Sequence, residues 1–168
     1  NQDPMQVMLG MLVYPEKWQE VKIIYVGKHA SELLNINDTK ASLLECYLGQ
    51  GRFITSQPAF AASQKAPASR SKAENAVIRV DERLNIMYHW FMGNMLTIFP
   101  NVSDSTGKWY NPINIKGKVL ASDSVFVENV LTYYLTEARN SLETNDWSVP
   151  DKIIESIKKY QRDNSTNL

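Results

Sequence analysis

The sequence predicts a mainly α-helical fold, an irregular helical bundle, and three observations carry that prediction. Between Ala73 and Phe99 the residues Val77, Val80, Leu84, Met87, Phe91, Met95 and Ile98 recur at spacings of three and four, the period of one helix face. A second periodic segment spans about 123–143, with Val127, Val130, Leu131, Tyr134, Ala138 and Leu142 on one face and Phe126 and Tyr133 on its flank. A third runs over about 148–162 with Ile153, Ile154, Ile157 and Tyr160. There is no internal repeat and no alternation of strands and helices.

The segment at about 74–99 is read as the long central helix. Tyr88, Met92, Leu96 and Phe99 widen its apolar arc, and a helix apolar on nearly all sides is packed by neighbours on several flanks. It is predicted to pack against the helices at about 123–143 and 148–162 and to end at Pro100. Ser148 and Asp151 match a capping box for the last helix, and the short connection at Asn145-Asp146 implies an antiparallel pair. The polar tail from Arg162 is expected to fray.

The N-terminal third predicts short helices and a small strand. Pro4 to Val13 reads as a helix in which Met5, Met8 and Met11 form an i, i+3, i+6 set, taken chiefly as adaptable core filling and otherwise as a soft partner surface. Pro15 to Trp18 starts a helical turn, and Val21 to Val26, closed by Gly27, is the best strand. Ser31 to Leu34 gives one or two helical turns. Ser42 with Glu45 makes a capping box for a helix ended by Gly49-Gln50-Gly51. Residues 55–73, bracketed by Pro58 and Pro67, are either a solvated helix or a mobile connection. Residues 100–122 form a long connection in which Trp109 and Tyr110 either tie the loop to the core or bind a partner. At 168 residues the chain is expected to be a single helical domain over 1–168.

Composition excludes several function classes. Eighteen basic residues balance eighteen acidic ones, so there is no positive excess for nucleic acid or an anionic membrane surface. With 43% hydrophobic and 21% charged residues the chain is expected to be globular. No stretch reaches the roughly 18 apolar residues of a membrane span. The chain does not begin with methionine and shows no basic n-region, so it reads as a mature or excised segment of something larger. Cys46 is the single cysteine and lies among apolar neighbours, the setting of a buried structural thiol. Three Asn-x-Ser/Thr triplets begin at Asn37, Asn101 and Asn164, and they carry meaning only in a eukaryotic secreted context.

No catalytic or metal site is predicted. His29 and His89 are the two histidines, and neither has a partner at a ligand spacing. GxSxG, SxxK and Walker patterns are absent. His89 belongs to a polar stripe at four-residue spacing, Asp81, Asn85, His89, Gly93 and Thr97, read chiefly as the seam where a neighbour or solvent meets the helix. The alternative makes the stripe part of a groove for haem or another flat apolar ligand. His89, Met92, Tyr88 and Trp109, with Tyr133, are then the candidate binding residues, His89 and Met92 sharing one side of a helix.

Four blocks carry a resemblance. They are PEKWQEVKIIYV at 15–26, RVDERLNIMYHWFMGNMLTIFPNVSDSTGKWYNP at 79–112, DSVFVENVLTYYL at 123–135 and DWSVPDKIIESIKKYQ at 146–161, together about half the chain. In this order they resemble the extracytoplasmic segment of System II (Ccs-type) cytochrome c biogenesis membrane proteins from Bacteroidetes. The family delivers haem to apocytochrome c outside the cytoplasmic membrane, using membrane-associated histidines and a WWD segment. This chain has no WWD, so the resemblance transfers no catalytic or haem-ligand residue.

What the resemblance implies is an extracytoplasmic (periplasmic) accessory or docking domain, tethered to the inner membrane through its parent protein. Its expected partners are the transmembrane remainder of its own chain, other cytochrome c biogenesis components or apocytochrome c. Haem is handled by the parent, and no enzymatic activity is expected of this segment. A helical ligand-binding domain and a small enzyme assembled from distant residues are the two alternatives.

Overall fold

The computed structural model describes residues 3–101 and 103–165. Val102 of the Asn101 triplet, Thr166 of the Asn164 triplet, the end of the polar tail and the first two residues lie outside the described residues. The chain is mainly helical, as predicted.

Helix α1 covers Pro4–Val13, with Pro4 at its first turn and the Asp3 carboxylate accepting the Met5 N–H at 2.8 Å. Its methionines are not the core face expected of them: Met11 is buried, but Met5 is 71% exposed and Met8 40%. Each step of three residues falls about 60° short of a full turn, so the set fans over about 120° and one member alone points inward. Helix α2 is the turn Pro15–Trp18. The predicted strand shrinks to β1, Ile24–Tyr25, because Val21 and Ile23 spend their N–H groups on local turn bonds to Trp18 and Val21. After α3 (Lys28–Leu34), which ends in left-handed Asn35, β2 (Lys40–Ala41) pairs antiparallel with β1, Ile24 opposite Ala41.

Helix α4, Leu43–Cys46, has the predicted capping box: the Glu45 N–H donates to Ser42 Oγ, and the Ser42 N–H donates to the Glu45 carboxylate. The following glycines do more than end it. Gln50 and Gly51, both at positive φ, turn β3 (Tyr47–Gly49) into β4 (Arg52–Phe53) as a hairpin. Within the 55–73 tract α5 is Ser56–Ser63, followed by a 3-10 turn at Pro67–Ser69.

Helix α6, Lys72–Phe91, corrects the expected central helix, which was to reach residue 99. Gly93 adopts φ +70, and its N–H donates back to the Trp90 carbonyl at 2.9 Å, which stops the helix. Residues 92–98 then turn, and Phe99–Pro100 (β5) pairs antiparallel with Trp109–Tyr110 (β6). The helical spacing persisted in the sequence because Phe99 must be buried there for a different reason, as a strand residue.

Helix α7 is Ala121–Thr144 and α8 is Ser148–Asn164, so the tail from Arg162 stays helical for three residues beyond the start expected for fraying. The capping box predicted at Ser148 is also corrected. Ser148 lies inside the helix, and the Asp146 carboxylate accepts its N–H at 2.9 Å. Asn145 in the left-handed region turns the chain, and Ser141 Oγ donates to the Asp146 carbonyl at 2.5 Å.

The chain divides into two compact units. One comprises Pro15–His89, and its buried residues include Ile24, Val26, Leu43, Cys46 and Phe53 together with Val77, Val80 and Leu84 of α6. The other joins α1 to the chain from Trp90 onward. Its core gathers Phe99, Tyr110, Ile115, Val127, Val130, Ile153 and Tyr160. Phe126 near the start of α7 lies 5.4 Å from the Tyr160 ring near the end of α8, as an antiparallel pair requires. The long 100–122 connection is tied down by buried Tyr110 and by Tyr160 of α8, whose Oη donates to the Pro100 carbonyl at 3.1 Å.

Candidate docking surface

The four residues proposed as binding candidates sit in unlike settings. Tyr88 belongs to an aromatic cluster, stacked on Tyr47 at 5.9 Å and edge-on to Phe53 at 5.9 Å. Burial and the neighbouring Tyr47 push its hydroxyl above the ordinary tyrosine range. His89 follows on α6, exposed, its ring 5.8 Å from that of Tyr88. Met92 lies in the turn beyond α6 and is exposed, so it does not continue a helix face from His89. Trp109 is half-buried in β6 next to Tyr110. Tyr88 and His89 are thus together, whereas Met92 and Trp109 belong to the other unit.

The polar stripe of α6 has a specific occupant. Thr55, wholly buried, donates its hydroxyl to the Asp81 carboxylate at 2.6 Å, and Asn85 Nδ2 donates to the same carboxylate at 3.0 Å. A buried hydroxyl needs a partner, and the four-residue spacing of Asp81 and Asn85 supplies an anchored acceptor.

Among the described residues no group of three or more His, Cys, Asp or Glu side chains is placed to hold a metal ion. Cys46 is buried, and its burial pushes the thiol up to about 11, the profile of a structural thiol. Asp104 is held at about 2 by hydrogen bonds from the Thr106 and Tyr110 hydroxyls and the Thr106 N–H, which organises the β5–β6 loop. Lys118 Nζ stands 4.4 Å from the Tyr110 ring centre.

Apolar surface is plentiful by contrast. Along α7 and α8 a groove of about 290 Å³ is lined by Val125, Phe126, Asn129, Tyr133, Ile153 and Ser156. Val125 is 72% exposed and Tyr133 52%. The Pro15–His89 unit carries a second depression, of about 360 Å³, where exposed Leu48 and Phe60 flank Phe53 beside Arg52. Tyr133 was legible as the flank of a helix face. Phe60 was not, because it is the lone large apolar residue in an Ala- and Ser-rich tract. No described helix is long and apolar enough to cross a membrane.

Fold and surface together define a mainly helical chain with open apolar faces on its helices. No family model matches it. It is similar to Protein NrfI of Wolinella succinogenes, with 35% identity over 108 residues, which is 63% of this chain and 12% of that protein. The chain therefore spans 12% of the length of the curated relative it matches.

Proposed function

We propose that this chain is an extracytoplasmic accessory or docking segment of a cytochrome c biogenesis membrane protein, the machinery that delivers and attaches haem. The similarity to Protein NrfI is the observation that carries this reading, since it is independent of any one residue. The apolar faces fit a docking role. Fully burying an exposed apolar side chain gains about 1.5–3 kcal/mol, and Val125 and Tyr133, 72% and 52% exposed, would contribute a share of that, so a few such contacts hold a partner reversibly. The partners are the transmembrane remainder of the parent chain, other biogenesis components or apocytochrome c, and haem is handled by the parent.

The test uses the full-length gene product in its native host, tagged and fractionated. The product is expected in the membrane fraction, with this segment digested by protease added outside the cytoplasmic membrane and with biogenesis components copurifying. Recovery in the cytosolic fraction would sink the proposal.

A further inference from the structure

A pocket on another side of α7 has a construction unlike the open groove. Its floor is apolar and half-buried or buried: Leu12 of α1, Phe91, Gly93, and Leu131 and Leu135 of α7. The cavity is about 270 Å³, below the usual range for a drug-sized ligand and adequate for one apolar side chain. Gly93 holds the floor with φ +70 and no side chain, and the nearest Leu131 methyl lies 3.7 Å from where a Cβ would stand.

The rim carries one cation and one anion, Lys116 and Glu128. Both are exposed, and neither side chain forms a hydrogen bond or ion pair, with each other or with any described residue. They come from different elements, Lys116 from the turn after β6 and Glu128 from α7, and both line the pocket. Exposed Met92 and Ile113 extend the apolar rim outward.

We propose that this pocket takes one apolar side chain, leucine or methionine in size, from a partner polypeptide carrying an acidic residue on one side of it and a basic residue on the other. The inference rests on the docking reading and names the partner's chemistry at one site. An apolar ligand without charges would cover Lys116 and Glu128 and leave them partly desolvated, a cost that complementary charges remove. Opposite rim charges from two elements also fix the direction in which the segment lies, because reversal sets like charges together.

Three capped tripeptides test it with the intact chain: acetyl-Asp-Leu-Lys-amide, acetyl-Lys-Leu-Asp-amide and acetyl-Ser-Leu-Ser-amide, with free L-leucine as a fourth probe. Amide chemical shifts of Gly93, Leu131 and Thr132 report occupancy. One charged isomer is expected to bind about threefold to tenfold more tightly than the serine peptide, at up to about fivefold per exposed charge pair. In the double variant Lys116→Glu with Glu128→Lys the preferred isomer should switch. Lys116→Gln and Glu128→Gln, both at exposed positions, should each erase part of the preference while keeping the native spectrum. Equal binding of all three peptides, an unchanged preference in the charge-swapped protein, or free leucine binding as well as the best peptide would overturn the proposal. Membrane fractionation of the parent reads the docking role separately, so failure of the peptides leaves that result standing.

Discussion

Thr55 is the sharpest place to test why α6 carries a polar stripe. Its hydroxyl is wholly buried and donates at 2.6 Å to Asp81, whose other oxygen accepts from Asn85. A hydrogen bond to a charged group contributes about 1.5–3 kcal/mol, and the lower end applies here because Asp81 is only half-buried and retains Asn85. Thr55→Val keeps the shape and adds a buried methyl in place of the hydroxyl, which offsets up to about 0.8 kcal/mol. The variant should therefore lose about 0.7–1.5 kcal/mol. In an Asp81→Ala background the same change should gain up to about 0.8 kcal/mol, since no acceptor remains for the hydroxyl and the methyl is still buried. Urea unfolding of the four proteins followed by circular dichroism closes the cycle, with an expected coupling of about 1–2 kcal/mol. Additive effects within about 0.5 kcal/mol would refute the reasoning and return the stripe to an unexplained status.

Other consequences are as direct. Tyr160→Phe leaves the Pro100 carbonyl without its buried donor and should cost about 1 kcal/mol by the same urea measurement. Gly93→Ala places a side chain at φ +70 with only ordinary contact to Leu131, so its cost is conformational, about 1–2 kcal/mol, with α6 unchanged in helical content. Cys46 should resist a thiol reagent at mildly alkaline pH in the folded protein and react fully in denaturant, since burial raises the thiol to about 11. Asp104 has a folded-state value of about 2, below its ordinary 3.8, so its contribution to loop order is complete above the ordinary value and lost as pH falls through about 2. Amide shifts of Thr106 and Tyr110 should follow that single transition.

The site was far less legible than the fold. Val125, Tyr133 and Phe60 make open surface, and no residue type in isolation announces that an apolar side chain will be left uncovered. Lys116 and Glu128 are ordinary charges in the sequence, 12 positions apart. They acquire meaning because the turn after β6 and helix α7 bring them to one rim.

What the sequence determined by itself was local. The helices at 4–13, about 123–143 and about 148–162 declare themselves because periodicity and nearby hydrogen bonding act within a few residues, and the structure extends the last two to Ala121–Thr144 and Ser148–Asn164. The Ser42–Glu45 box is legible for the same reason. Tertiary structure decided where those signals stop or compete. The apolar spacing of 73–99 continues past Phe91, yet Gly93 breaks the helix and Phe99 is buried as a strand residue paired to Tyr110. Methionines at i, i+3, i+6 divide between core and solvent according to what packs on α1. Periodicity records which residues are to be buried, whereas the partner that buries them is a long-range choice made by packing alone.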